Sequence, residues 1–149
     1  PQAEMTRRRP MAIAVAILAC AAALAYLRDP PWLLSMTSGL REERREPAGK
    51  TVRTMAGHAS FFVPTDAASV EIPLRGVFES EKDWPITVTI AIDDRPADRL
   101  TLTDGSWRVS TLRLPPPSGR RVRRIDIRAD RTRSDQRAVE VGEWKSIRP

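Results

Sequence analysis

Ile86-Thr87-Val88-Thr89-Ile90-Ala91-Ile92 alternates a large aliphatic side chain with a small or hydroxylated one over its whole length. A period of two puts Ile86, Val88, Ile90 and Ile92 on one face of a β-strand and Thr87, Thr89 and Ala91 on the other. The β-branched content suits a pleated, half-buried surface. Asp93-Asp94-Arg95-Pro96 follows with the side chains of a turn. The same alternation returns in a strand candidate over residues 122–129, in Ile125, Ile127 and Ala129 against Asp126, Arg128 and Asp130. Each such strand buries one face only.

Outward from these two runs, further strand candidates cover residues 60–63, 68–74, 99–102, 107–114 and 139–144. Turn signals separate them at Pro64-Thr65-Asp66, Asp104-Gly105-Ser106, Pro115-Pro116-Pro117-Ser118-Gly119 and residues 131–136. No helical period of useful length occurs among them, which excludes a βαβ layout. The pattern predicts a mainly β fold: a single antiparallel β-sandwich of about seven to eight strands over residues 57–149.

The other end of the chain has a different character. Arg7-Arg8-Arg9-Pro10 precedes residues 11–27, which carry no charge and end in Tyr26-Leu27; Arg28-Asp29-Pro30-Pro31-Trp32 follows. Seventeen helical residues rise about 26 Å, enough for a thin hydrocarbon core. Three arginines before the span and one beside an aspartate after it predict a cytoplasmic arm at residues 1–10 and a periplasmic sandwich, anchored in a bacterial inner membrane. Tyr26 and Trp32 suit the far interface as anchors. Ala12, Ala16, Ala19 and Ala23 form a small-residue stripe on which a second helix can pack. A cleaved signal peptide shares the charged start and apolar run, and Ile17-Leu18-Ala19-Cys20 resembles a bacterial lipoprotein box. The apolar run continues beyond Cys20 and the chain starts at Pro1, so the expectation is a retained helix.

Residues 28–56 are read as an interfacial segment and linker, because the mixed charges of 40–46 close on Pro47 and Gly49. At 149 residues, 41% hydrophobic and 30% charged, the chain supports one domain plus its anchor. Its net charge of +6 comes almost wholly from arginine, lysine occurring only at 50, 82 and 145. The single cysteine, Cys20, excludes an intrachain disulfide.

Chemistry is sparse. His58 is the sole histidine and no nucleophile motif accompanies it, so a Ser-His-Asp triad is not expected and the chain is read as a non-enzyme without metal or cofactor. Asp93 and Asp94 with Asp98, or Asp104 beside Gly105, offer oxygen ligands for calcium in a loop, but aspartate is also favoured in turns for local hydrogen bonding. The densest charge feature is Arg120-Arg121-Val122-Arg123-Arg124, expected to meet anionic lipid, an acidic subunit or a glycan. It lacks interleaved aromatics, so nucleic acid is not expected. Trp84, before Pro85 in a loop, is the candidate exposed contact, while Trp107 and Trp144 are expected in the core.

The runs Val70-Glu71-Ile72-Pro73-Leu74-Arg75, Ile86-Thr87-Val88-Thr89-Ile90, Leu100-Thr101-Leu102 through Asp104-Gly105 to Trp107-Arg108, Leu112-Arg113-Leu114-Pro115, Arg124-Ile125-Asp126-Ile127 and Val141-Gly142-Glu143 carry a resemblance. Over residues 57–145 they look like a β-sandwich module at the extracytoplasmic end of some bacterial membrane glycosyltransferases and polymer-processing membrane proteins. The resemblance implies the sandwich and an accessory role; a multi-span catalytic domain is lacking here. Two functions are therefore expected. One is a non-catalytic accessory subunit of a larger membrane complex, such as a respiratory or photosynthetic reaction-centre and antenna assembly, with integral-membrane subunits and the bilayer as partners. The other is a glycan-binding module of the cell envelope.

Overall fold

Pro30 disfavours helical backbone at Asp29 and so ends the N-terminal helix at Arg28. The computed structural model describes residues 2–47, 49–117 and 119–149, without the side chains of residues 2–10 and Glu42. The chain divides into two compact units, Pro1–Trp32 and Leu33–Pro149. In the first, α1 (Gln2–Arg28) is one continuous helix starting upstream of the apolar span. Residues 11–28 are all exposed, and the stretch Met11–Ser35 is long and apolar enough to cross a membrane. A short 3-10 turn (Pro31–Ser35) follows.

The second unit is built from β1 (Thr37–Arg45), β2 (Thr51–Pro64), β3 (Ser69–Gly76), β4 (Ile86–Ile92), β5 (Arg95–Leu102), β6 (Arg108–Arg113), β7 (Val122–Ala129), β8 (Val139–Gly142) and β9 (Lys145–Ile147). Every pairing is antiparallel. The hydrogen-bonded order is β5-β4-β7-β2-β8-β3-β6, with β1 on β2 and β9 on β3. The long β2 joins the two layers: its residues 58–64 pair with β7, and residues 52–55 pair with β8. One layer is thus β5-β4-β7 with the end of β2, and the other is the start of β2 with β8, β3 and β6. Between them lie Phe61, Ile72, Leu74, Ile90, Ile125 and Ile127, all essentially solvent-free. The alternation of β3 and β4 in burial follows the alternation in their sequence.

The linker expectation is corrected. Residues 37–45 form β1 and β2 begins at Thr51, so the sandwich starts well before residue 57. β1 is an edge strand paired only with β2, and an edge strand is kept soluble by charge rather than by alternating apolar residues. Its Arg44 reaches Glu140 Oε1 at 2.7 Å and its Glu43 accepts from Arg53 at 3.1 Å. The run 139–144 splits into β8 and β9 about Trp144, which gives nine strands with β1 among the described residues. β5 starts at Arg95 rather than 99 because Asp93 and Asp94, both at positive φ (49° and 66°), close a two-residue hairpin.

Candidate functional site

The arginine run does not form one surface. β7 points Arg123 into the protein at 5% exposure, where Nη1 donates to Asp93 Oδ2 at 2.7 Å and Nη2 donates to the carbonyls of Pro115 and Pro116. Arg123 is thereby corrected from a partner contact to a tie between the β4–β5 hairpin and the proline loop. Arg124, on the opposite face, donates through Nε to Asp126 Oδ2 at 2.8 Å and pairs with Asp94. The hydrogen bond to Asp126 and the charge of Asp94 raise its pKa against partial burial. Arg120 and Arg121 are exposed and already engaged with neighbouring groups.

The turn aspartates are likewise occupied locally. Asp93 accepts from Arg123 and from the Arg124 amide, Asp98 from the Ser110 hydroxyl at 2.5 Å, and Asp104 from the Ser106 amide at 2.8 Å. The Ser106 amide holds the Asp104 carboxyl below its ordinary pKa. Among the described residues no group of three or more His, Cys, Asp or Glu is placed to hold a metal. His58 lies within β2, and its Nε2 is 3.1 Å from Asp126 Oδ1.

Trp84 and Trp107 change places relative to expectation. Trp84 is half-buried against the core and stands edge-on to Phe78, with ring centroids 6.0 Å apart. Its ring occupies the space that a side chain at residue 76 would need, so Gly76 is required there. Trp144 stacks on Phe61 at 3.9 Å, as a core aromatic does. Trp107, expected in the core, instead lines a groove of about 320 Å³ on the outer face of β8, β3 and β6. Pro73, Val109, Val52 and Gly142 line it with Trp107; Lys50, Glu143 and Lys145 stand at its rim. Val109 is 56% exposed, an apolar side chain left open to solvent.

Trp107 is held from behind. The Arg75 guanidinium carbon lies 4.5 Å from the ring centroid, a cation–π contact. Arg75 in turn donates through Nε to Glu140 Oε2 at 2.9 Å and through Nη2 to Glu46 Oε1 at 2.5 Å. Burial works against its charge, but the bonds to Glu140 and Glu46 outweigh it and raise the pKa. Glu140, almost fully buried, is also met by Arg44. Gly142 keeps the groove floor low: a Cβ there would come within 3.0 Å of Pro73 Cβ. Local sequence could not reveal this set, because the groove's members come from five strands and three connections.

On α1, Ala12, Ala16, Ala19 and Ala23 are all exposed, at spacings of four, three and four that place them on one face. Tyr26 and Trp32 are 51% and 54% exposed.

No family model matches the chain, and no curated protein matches it. Similar solved structures exist. A family two carbohydrate esterase from Clostridium thermocellum in complex with cellohexaose aligns at TM-score 0.49 and 6% identity, over 74% of this chain and 31% of that one. TmCBM61 in complex with β-1,4-galactotriose aligns at TM-score 0.49 and 9% identity, over 76% of this chain and 88% of that one. The C-terminal domain of EclA, a sugar-binding protein, aligns at TM-score 0.47 and 12% identity, over 68% and 87%. This chain thus spans under a third of the esterase. Likeness at this level carries no inference about ligand or activity.

Proposed function

We propose that this chain is a non-catalytic glycan-binding module, held by α1 on the periplasmic side of a bacterial inner membrane, whose Trp107 groove takes a sugar residue. The observation that carries the reading is the half-buried Trp107, oriented by Arg75, in one groove with Pro73 and the exposed Val109. A pyranose ring has an apolar C–H face and a hydroxyl rim. An indole beside proline and valine matches the first; Glu143, Lys50 and Lys145 can bond the second. The volume is at the small end for ligand sites, suited to one or two sugars. Anchored beside polymer-making membrane enzymes, such a module would retain their product.

Affinity electrophoresis of the full chain in gels containing neutral β-linked polysaccharides tests this. Trp107→Ala is expected to lower retention at least tenfold while Trp84→Phe leaves it unchanged. Equal retention of wild type and Trp107→Ala, with matching thermal melts, would overturn the reading.

The accessory-subunit reading is favoured by a different feature, the exposed alanine face of α1. Small side chains let a neighbouring helix approach closely in lipid. The two readings are compatible, since a glycan module can ride on a larger membrane assembly.

A further inference from the structure

Arg99, Thr89, Arg128 and His58 stand side by side in one row on the outer face of β5-β4-β7-β2. Arg99 and Arg128 are each the register partner of Thr89, and His58 is the partner of Arg128. Directly opposed residues share a face, and strands lie about 4.8 Å apart, so the two arginine backbones straddle Thr89 at roughly 9–10 Å. Both arginines are exposed, and neither guanidinium has an ion pair or hydrogen bond among the described residues. The acids of this face are already compensated: Asp94 by Arg124, and Asp126 by Arg124 and His58. Asp98 also lines the groove beside this row, its carboxylate accepting from the Ser110 hydroxyl and the Arg99 amide rather than from a guanidinium. The row therefore presents two positive charges with no counter-charge of their own. It borders an open groove of about 780 Å³ that also includes Ala91, Pro96 and Ala97.

We infer that this groove is a second ligand site, separate from the Trp107 groove, and that it takes a carboxylate-bearing saccharide through Arg99 and Arg128. Guanidinium forks recognise carboxylates bidentately. A bare anion would need only the arginines. The groove also offers the well-exposed Asp94 as an acceptor for a sugar hydroxyl. Ala91, Pro96 and Ala97 supply the apolar contact that a sugar ring makes. The inference rests on the glycan-binding reading for the class of ligand only, since Trp107 lies on the outer face of the other layer.

The test is calorimetric titration of the full chain in detergent with oligogalacturonate, with a neutral galactan and with glycerol 1-phosphate, the headgroup chemistry of an anionic lipid. The expected result is binding of oligogalacturonate that weakens with salt, falls at least tenfold in R99Q/R128Q and is unchanged in Trp107→Ala and Arg95→Gln. Both replaced arginines are exposed, and the double variant should melt as wild type. Three results would overturn the proposal: no binding of oligogalacturonate by the wild type, equal affinity in R99Q/R128Q, or glycerol 1-phosphate binding that matches oligogalacturonate and is lost in the same variant. Loss of neutral galactan in Trp107→Ala alone concerns the first groove, so failure of one site is told apart from failure of the other.

Discussion

Arg123 and its neighbours Arg120, Arg121 and Arg124 are indistinguishable as text, yet burial separates them. Along β7, Val122, Arg123, Ile125 and Ile127 are buried while Arg124 is half-buried. The Arg123 side chain is 6% exposed and reaches Asp93 and two proline carbonyls. Replacing it by alanine removes the partner of a half-buried carboxylate and two carbonyl bonds. Arg123→Ala is therefore expected to lower stability by about 2–4 kcal/mol, less than a fully buried pair because Asp93 keeps water access. Urea unfolding should show this loss, whereas the exposed Arg121→Ala should stay within about 0.5 kcal/mol of wild type. The same logic moved Trp84 into support of the core and brought Trp107 to a surface groove. Side-chain type announces what a residue can do, and its neighbours from distant strands decide what it does.

At the scale of elements, period-two patterning was legible wherever a strand buried one face. β4 and β7 coincide with residues 86–92 and 122–129 as expected, because one face of each is apolar. β1 was illegible for the opposite reason: its stability comes from pairing and ion pairs with partners such as Glu140, about a hundred residues away in sequence. Gly39 is the element's weak point. It sits at φ 70°, and a Cβ there would collide with the His58 carbonyl. β1 shifts register beside it, between Ser38 and Leu40. Gly39→Ala should cost about 2–3 kcal/mol by combining left-handed strain with that clash. Amide exchange measures it: protection should fall first in β1, with β4 and β7 spared, and uniform loss across all strands would contradict the local account.

At the scale of the molecule, the two units have separate physics. Residues 11–27 of α1 carry no charge on any side, and the sandwich encloses its own core. The full chain is expected in the membrane fraction and resistant to carbonate extraction, while a chain starting at Leu33 should be soluble and fold. Purified in mild detergent through a C-terminal tag, the protein should bring larger membrane proteins with it, and Ala16→Leu/Ala19→Leu should release them by blocking close helix approach. Elution of wild type as a lone monomer would leave only the glycan-binding reading. By itself the sequence determined the fold class, the apolar helix and most strand positions, since these follow from local hydrophobic period and turn residues. Only the tertiary structure decided which arginines are structural, which tryptophan lines a groove and which two arginines flank Thr89 without an ion pair of their own. Those properties arise where strands distant in sequence meet, and no local pattern encodes which side chains will face one another across a ladder.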